Sequence, residues 1–482
     1  MRRTTAPLTL TTSALTPTAL ATTALLGLAL LSPATAAAAE TCRGEAATLV
    51  GAPGERIVGT EARDVVVTNG STRVNTLGGD DLVCVNTTTG GRHHLREVEV
   101  HTGAGNDLVD SAATMLPLSV RVVLGTGADR FEGGKGSDVV AAGETDPIEG
   151  GQDSEGWHLG RGKHVDTDAD VIVGGGGSDD ITSGQDRVPN ADVVLGGTGS
   201  DALVYAGHQE APGRLSGGDD DDQLLVLLGP GSTTADATTR RLTAASSSVS
   251  WTTIEGFWFT AADEAARTLV YRGTEDADQV DVTVSAGLSL VADLAGGDDS
   301  LQITSAPAAG SDIDLGAGTD TLLALARHGT LDLDMRAELL TVTVGASTHA
   351  VPVAGLETAG VFAPRVVIAG TDRADYLLVG ACRATVRGRA GDDHVSYHGA
   401  QAMESSVCSA RAVLDGGAGA DELFSFGSSS RDTMRGGPGH DHLLGGRGPD
   451  RLLGGPGRDF ADGGAGPKPD TCRGERENRC ER

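Results

Sequence analysis

The chain has 482 residues, enough for two to four ordinary domains or one long repeat array, but only 3% are aromatic, which argues against a large conventional core. Glycine fills 71 positions, roughly twice the usual share, while 17 prolines are too few for a collagen or a proline-rich linker. The formal charge of −30 becomes about −32 without Arg2 and Arg3, the only charged residues among the first 39; such acidity disfavours nucleic acid and anionic lipid as partners and favours cations.

Residues 1–39 read as a secretory signal peptide. Arg2 and Arg3 form a short basic start, Ala24 to Leu31 is an apolar run too short to cross a bilayer, and small residues from Ala34 to Ala39 offer cleavage points. No later segment is long and apolar enough for a membrane span, so the mature chain is expected to be secreted and soluble outside the cytoplasm. Six cysteines in an exported chain point to disulfides. Neighbour pairing, one of 15 possible connectivities, gives Cys42–Cys84, Cys382–Cys408 and Cys472–Cys480, capping the two ends rather than stapling a core.

From residue 40 to about 230 a glycine-rich motif recurs in worn form. "LGGDDLV" centres on Asp81 and "HTGAGNDLV" on Asp107. "LGTGADRFE" and "GGKGSDVVA" carry Asp129 and Asp138; "GGGGSDDIT", "GGTGSDALV" and "GGDDDDQLL" carry Asp179, Asp201 and Asp222. Between 231 and 365 glycine thins out, apolar and polar residues alternate as in β-strands, and "TTRRLTAASSSVS" is the best linker candidate. "VADLAGGDDSLQI" and "DIDLGAGTDTLLA" keep the turn-then-strand rhythm there. The cluster Trp251, Phe257, Trp258 and Phe259 reads first as core and second as a platform for a sugar or partner.

From 366 to 482 the motif is cleanest. Four nonapeptides run without a gap from Gly427 to Asp462, placing Asp432, Asp441, Asp450 and Asp459 at the sixth position and Met434, Leu443, Leu452 and Ala461 at the eighth. "GGAGADELF" adds Asp421 after a two-residue offset, and Asp393 joins the same candidate set. In the closing "GGAGPKPDTCRGERENRC" Lys468 falls where an aspartate is due, so this segment is expected to lose register and serve as a cap held by Cys472 and Cys480.

The nonapeptide G-G-x-G-x-D-x-U-x, with U apolar, has a physical logic. Glycines reach positive φ without steric cost, so the first half turns sharply and aims carbonyls inward beside the aspartate. The last three residues form a short strand with the eighth side chain inside. Two repeats close one flat coil, so copies 18 residues apart stack: Asp432 on Asp450, Asp441 on Asp459. Two carboxylates about 4.8 Å apart repel by about 0.9 kcal/mol in water and about 3.5 kcal/mol at an effective dielectric near 20, so the stack calls for a cation. The offered ligands are all oxygens in a flexible setting, which suits calcium better than magnesium or a soft metal.

The tandem "GGPGHDHLLGGRGPDRLL" resembles the calcium-binding nonapeptides of RTX, or hemolysin-type, proteins. The resemblance implies an all-β parallel β-roll or β-solenoid with Ca2+ between successive turns. Carried over position by position, it implies as ligands the sixth-position aspartates with the carbonyls of Gly436, Gly437, Gly439, Gly445, Gly446, Gly448, Gly454, Gly455 and Gly457. The whole chain also resembles secreted calcium-binding repeat proteins of high-GC actinobacteria. It departs from RTX toxins in having an N-terminal export signal and no toxin, lipase or protease domain ahead of the repeats.

Catalytic motifs are missing: there is no H-E-x-x-H and no G-x-S-x-G. His93, His94, His158, His164, His440 and His442 read as solvated residues, and the acid pair Asp179-Asp180 as part of the repeat. Asp166, Asp168 and Asp170 start like an EF-hand loop, but Val171 and Gly177 replace its glycine and its final glutamate. The reading is therefore a non-catalytic calcium-binding protein. The alternatives are an adhesion or matrix stalk with a cell-surface glycan or protein partner, or a hydrolase hidden in 231–365.

Overall fold

The computed structural model describes residues 40–480 except 87–96, 114–116, 144–151, 154–155, 158–165, 185–189, 207–212, 245–246, 262–264, 284–286, 400–407, 409, 427–430 and 466–469. The signal peptide, His93, His94, His158, His164, Lys468 and the start of the Asp432 nonapeptide lie outside the described residues.

Short strands alternate between two faces, and most pair in parallel with the strand one coil further on. On one face Gln223–Leu227 pairs with Gly256–Thr260, which pairs with Gln279–Thr283. On the other, Val171–Gly176 pairs with Val193–Thr198, which pairs with Gly213–Asp219. The chain is thus a parallel β-roll, and among the described residues its elements are all strands. Parallel pairing joins strands on either side of residue 230, and the single strand Thr358–Ala369 runs through residue 365.

Period-two alternation builds the core. In Leu288–Asp293 the side chains of Leu288, Leu290 and Ala292 are buried while those between them face outward. The eighth-position residues Met434, Leu443, Leu452 and Ala461 are all fully buried. Each such leucine contributes roughly 1.5–3 kcal/mol. Trp251, Phe257 and Phe259 pack edge-on and stacked with Tyr271 inside the roll and are core, whereas Trp258, the fourth member of the cluster, is only partly buried. His440 is exposed; His442 is only partly so, edge-on between Phe424 and Phe460 on the outer face.

Among the described residues, Gln152–Asp153 pairs antiparallel with Gly156–Trp157, and two larger excursions interrupt the coil. Gly231–Asp236, Arg241–Ala244 and Ser247–Thr252 form an antiparallel meander, and so do Thr330–Asp334, Leu339–Val344 and Ser347–Ala354. The segment read as a linker, Thr238 to Ser250, is therefore largely paired strand: Leu242 and Val249 are buried across from each other.

All three disulfides follow neighbour pairing, with Cα separations of 5.5 Å for Cys42–Cys84, 5.8 Å for Cys382–Cys408 and 5.7 Å for Cys472–Cys480. The first ties the opening hairpin, Thr41–Cys42 with Glu45–Ala46, to the strand Leu82–Cys84. Cys382 sits inside the long strand Tyr376–Ala390, so the middle bridge lies within the array rather than at an end.

Candidate metal centre

Three glycines of one nonapeptide are each required for a different reason. The carboxylate of Asp441 folds back over Gly436, where a Cβ would collide with Oδ2. Gly437 has φ +122°, and a Cβ there would strike the Gly417 carbonyl of the preceding coil; a Cβ on Gly439 would strike the Gly419 carbonyl. The pattern repeats at Gly454, Gly455 and Gly457 beneath Asp459. At Asp450, Gly445 lies under the carboxylate, while Gly446 and Gly448 take φ +86° and +155°.

These turns bring the aspartates into files. Asp441 donates its backbone N–H to Oδ1 of Asp459 at 3.2 Å, and Asp432 to Oδ1 of Asp450 at 2.8 Å, each across 18 residues. The same bond links Asp375, Asp393, Asp421 and Asp441 in order. It links Asp138, Asp179, Asp201 and Asp222, and separately Asp64, Asp81, Asp107, Asp129, Asp170 and Asp192. A further file, Asp278, Asp299 and Asp320, crosses the glycine-poor middle. The step varies from 17 residues between Asp64 and Asp81 to 41 between Asp138 and Asp179, without a shift in the rung.

The closing segment keeps its register, against expectation. Asp470 accepts the Asp450 N–H at 2.8 Å across 20 residues, so a two-residue insertion moves the aspartate from 468 to 470. The Cys472–Cys480 bridge follows this rung in the chain.

In each linked pair one carboxylate oxygen is used. The other, Oδ2, is buried without a hydrogen-bond partner in Asp81, Asp107, Asp129, Asp138, Asp170, Asp179, Asp201, Asp222, Asp299, Asp320, Asp393, Asp421, Asp441, Asp450 and Asp459. An anionic oxygen left bare in the interior costs several kcal/mol, so fifteen of them are the dominant electrostatic fact of this molecule. Next to them lie carbonyls: a Cβ on Gly174 would meet both Asp179 Oδ2 and the Gly196 carbonyl of the next coil, and Gly388 stands likewise toward Asp393 and Gly416. Burial raises the carboxyl pKa, neighbouring aspartates add to it, and the backbone N–H bond opposes it. Asp441 is pushed up to about 6, Asp450 to about 7, and Asp129 and Asp179 to about 8.

Among the described residues no three His, Cys, Asp or Glu side chains converge on one point. A cation here would be held by one or two carboxylates together with backbone carbonyls. That all-oxygen set fits calcium, and the bare Oδ2 atoms are what an ion between coils would satisfy.

Of the twelve aspartates singled out in the sequence, eleven have a bare Oδ2; the exception is Asp432, whose Oδ2 accepts the Ser425 hydroxyl at 2.7 Å. Of the run Asp219 to Asp222 only Asp222 is buried on its file. Sequence reasoning left Asp81, Asp170, Asp299 and Asp320 out of the candidate set. At Asp299 and Asp320 the first glycine is replaced by Leu294 and Leu315, which hides the motif from a template starting G-G. A glycine at the fourth position and an apolar residue two after the aspartate, as in "GDDSL" and "GTDTL", would have found them.

The family model for the RTX calcium-binding nonapeptide repeat (4 copies) matches residues 121–146, 164–187 and 435–467. The chain carries RTX calcium-binding repeats. The matched RTX stretches contain Asp129, Asp138, Asp170, Asp179, Asp441, Asp450 and Asp459, all with a bare Oδ2. Comparison with curated proteins gives no match. Among the described residues no helix is long and apolar enough to cross a membrane.

Proposed function

We propose that this RTX-repeat chain is an exported, non-catalytic protein whose β-roll is completed by Ca2+ held between successive coils. One observation carries the reading: among the described residues fifteen buried carboxylate oxygens lack a hydrogen-bond partner. The ions would sit beside Oδ2 of Asp107, Asp129, Asp138, Asp179, Asp201, Asp222, Asp393, Asp421, Asp441, Asp450 and Asp459, with the glycine carbonyls of the same turns. The leader-like start and the three disulfides support export to an oxidising, calcium-rich medium. Extracellular calcium modules bind at about 10⁻⁴ to 10⁻³ M, so such a chain stays ion-free inside the cell and loads outside.

Calcium titration of the chain from residue 40, followed by far-ultraviolet circular dichroism, tests this. The β signal is expected to grow with calcium and much less with magnesium. A signal identical in chelator and in millimolar calcium would contradict it.

A further inference from the structure

The aspartate files are not uniform. Asp64, Asp278 and Asp375 each open a file, and their Oδ2 is satisfied: it accepts the N–H of Thr60 at 2.7 Å, of Thr274 at 2.7 Å and of Thr371 at 2.6 Å. Each lies in the same local sequence, Gly-Thr followed by three residues and the aspartate: "GTEARD", "GTEDAD" and "GTDRAD". Their Oδ1 atoms also have neutral donors, the hydroxyls of Thr48, Tyr271 and Thr371.

The difference lies in the second turn position. In thirteen of the fifteen turns with a bare Oδ2 this residue has positive φ, Asp138 and Asp170 being the exceptions. It holds even where the residue is not glycine: Leu77 at +75°, Ala295 at +67° and Arg389 at +87°. Non-glycine residues pay for that conformation, so the turn geometry is imposed by the site. The second-position amide then points away from its own aspartate: Gly437 donates to the Gly454 carbonyl, and Gly316 to Asp314 Oδ1. Thr60, Thr274 and Thr371 are not at positive φ, and their amides point inward.

The far ends are equally distinct. In three of the files a glutamate takes the aspartate's place at the end: Asp222, Asp320 and Asp459 donate their N–H to Oε2 of Glu255, Glu357 and Glu475 at 2.8, 3.0 and 2.7 Å. The files ending at Glu255, Glu357 and Glu475 follow one another along a single strand ladder, so the breaks fall between Glu255 and Asp278 and between Glu357 and Asp375.

We propose that this ladder is divided into separate ion-holding blocks: Gly-Thr turns are ion-free rungs closed by their own threonine amide, glutamates end the three blocks along it, and Asp299 and Asp320 form a calcium block of their own. That block lies outside the three RTX-matched stretches. Asp299 and Asp320 are fully buried, at 1% and 0% exposure, with Oδ2 unpartnered. The proposal rests on the calcium reading above, and adds which rungs use the ion and which do not.

Hydrogen exchange of the whole mature chain in chelator and in calcium tests it. Amides around residues 294–299 and 315–320 are expected to gain at least about tenfold protection with calcium, while those around 273–278 and 370–375 change less than about twofold. A second measurement counts bound calcium by equilibrium dialysis. Asp299→Asn is expected to lose at least one ion per chain, and Asp278→Asn, a charge-matched change at another buried aspartate, none. Equal gains in protection at every turn, or an ion lost from Asp278→Asn, would overturn the block structure. No gain at 294–320 would overturn the middle site while leaving the calcium reading intact. A chain with no calcium-dependent protection anywhere would sink both.

Discussion

A carboxylate in this molecule is positioned by its backbone neighbour and left half satisfied. In the bare rungs Oδ1 receives the N–H of the rung before it, while Oδ2 lies near carbonyls, a contact that a proton or a bound cation would relieve. Asp441→Asn keeps an acceptor for the Asp421 N–H but removes the charge, so calcium affinity of the C-terminal turns should fall at least about tenfold while the coil persists in saturating calcium. Calorimetric titration checks this. The glycines divide just as clearly. Gly455→Ala meets both a φ of +122° and the Gly437 carbonyl, and should cost about 1–3 kcal/mol in denaturant unfolding with calcium present. Gly345→Ala, at φ +61° with nothing within 4 Å, should cost about 1 kcal/mol, from the backbone alone.

At the level of strands and turns, the C-terminal β-roll was legible because its tandem copies have a constant step. Met434, Leu443, Leu452 and Ala461 could be placed inside, and Asp441 on Asp459, from spacing alone. What escaped has physical causes. The 238–250 segment is rich in Ser and Thr and buries chiefly Leu242 and Val249, too few apolar points to reveal alternation. Asp470 was hidden by a two-residue insertion, which a coil absorbs in a loop at little entropic cost. The middle file was hidden because Leu294 and Leu315 stand where the template has glycine. The end bridges should matter unequally. A chain-entropy estimate gives about 4 kcal/mol for the 42-residue closure by Cys42–Cys84 and about 2.5 kcal/mol for the 8-residue closure by Cys472–Cys480. Cys42→Ser with Cys84→Ser should therefore lower the thermal midpoint more than Cys472→Ser with Cys480→Ser, in melts at fixed calcium.

Over the whole molecule, proton and calcium compete for the same oxygens. Folded-state pKa values raised to about 6 at Asp107, Asp201, Asp222, Asp299 and Asp441, and to about 8 at Asp129 and Asp179, mean that the ion-free fold binds more protons than the unfolded chain. Stability in chelator is then greatest near pH 4, below these values, and is lost as pH rises through about 6 to 8. With calcium the sign reverses: deprotonation frees the ligands, so affinity should rise over the same interval. Urea unfolding at pH 5 and pH 8, with and without chelator, checks both slopes. The net charge of −30 acts in the same direction, since self-repulsion in the ion-free chain is relieved by each bound cation.

The most direct measurement is the anomalous difference density of crystals grown in calcium. Peaks are expected between successive coils, beside Oδ2 of Asp441 and Asp459 and beside Oδ2 of Asp179 and Asp201. Ordered water at those positions, with no calcium signal along either file, would contradict the claim that these buried carboxylates exist to hold the ion.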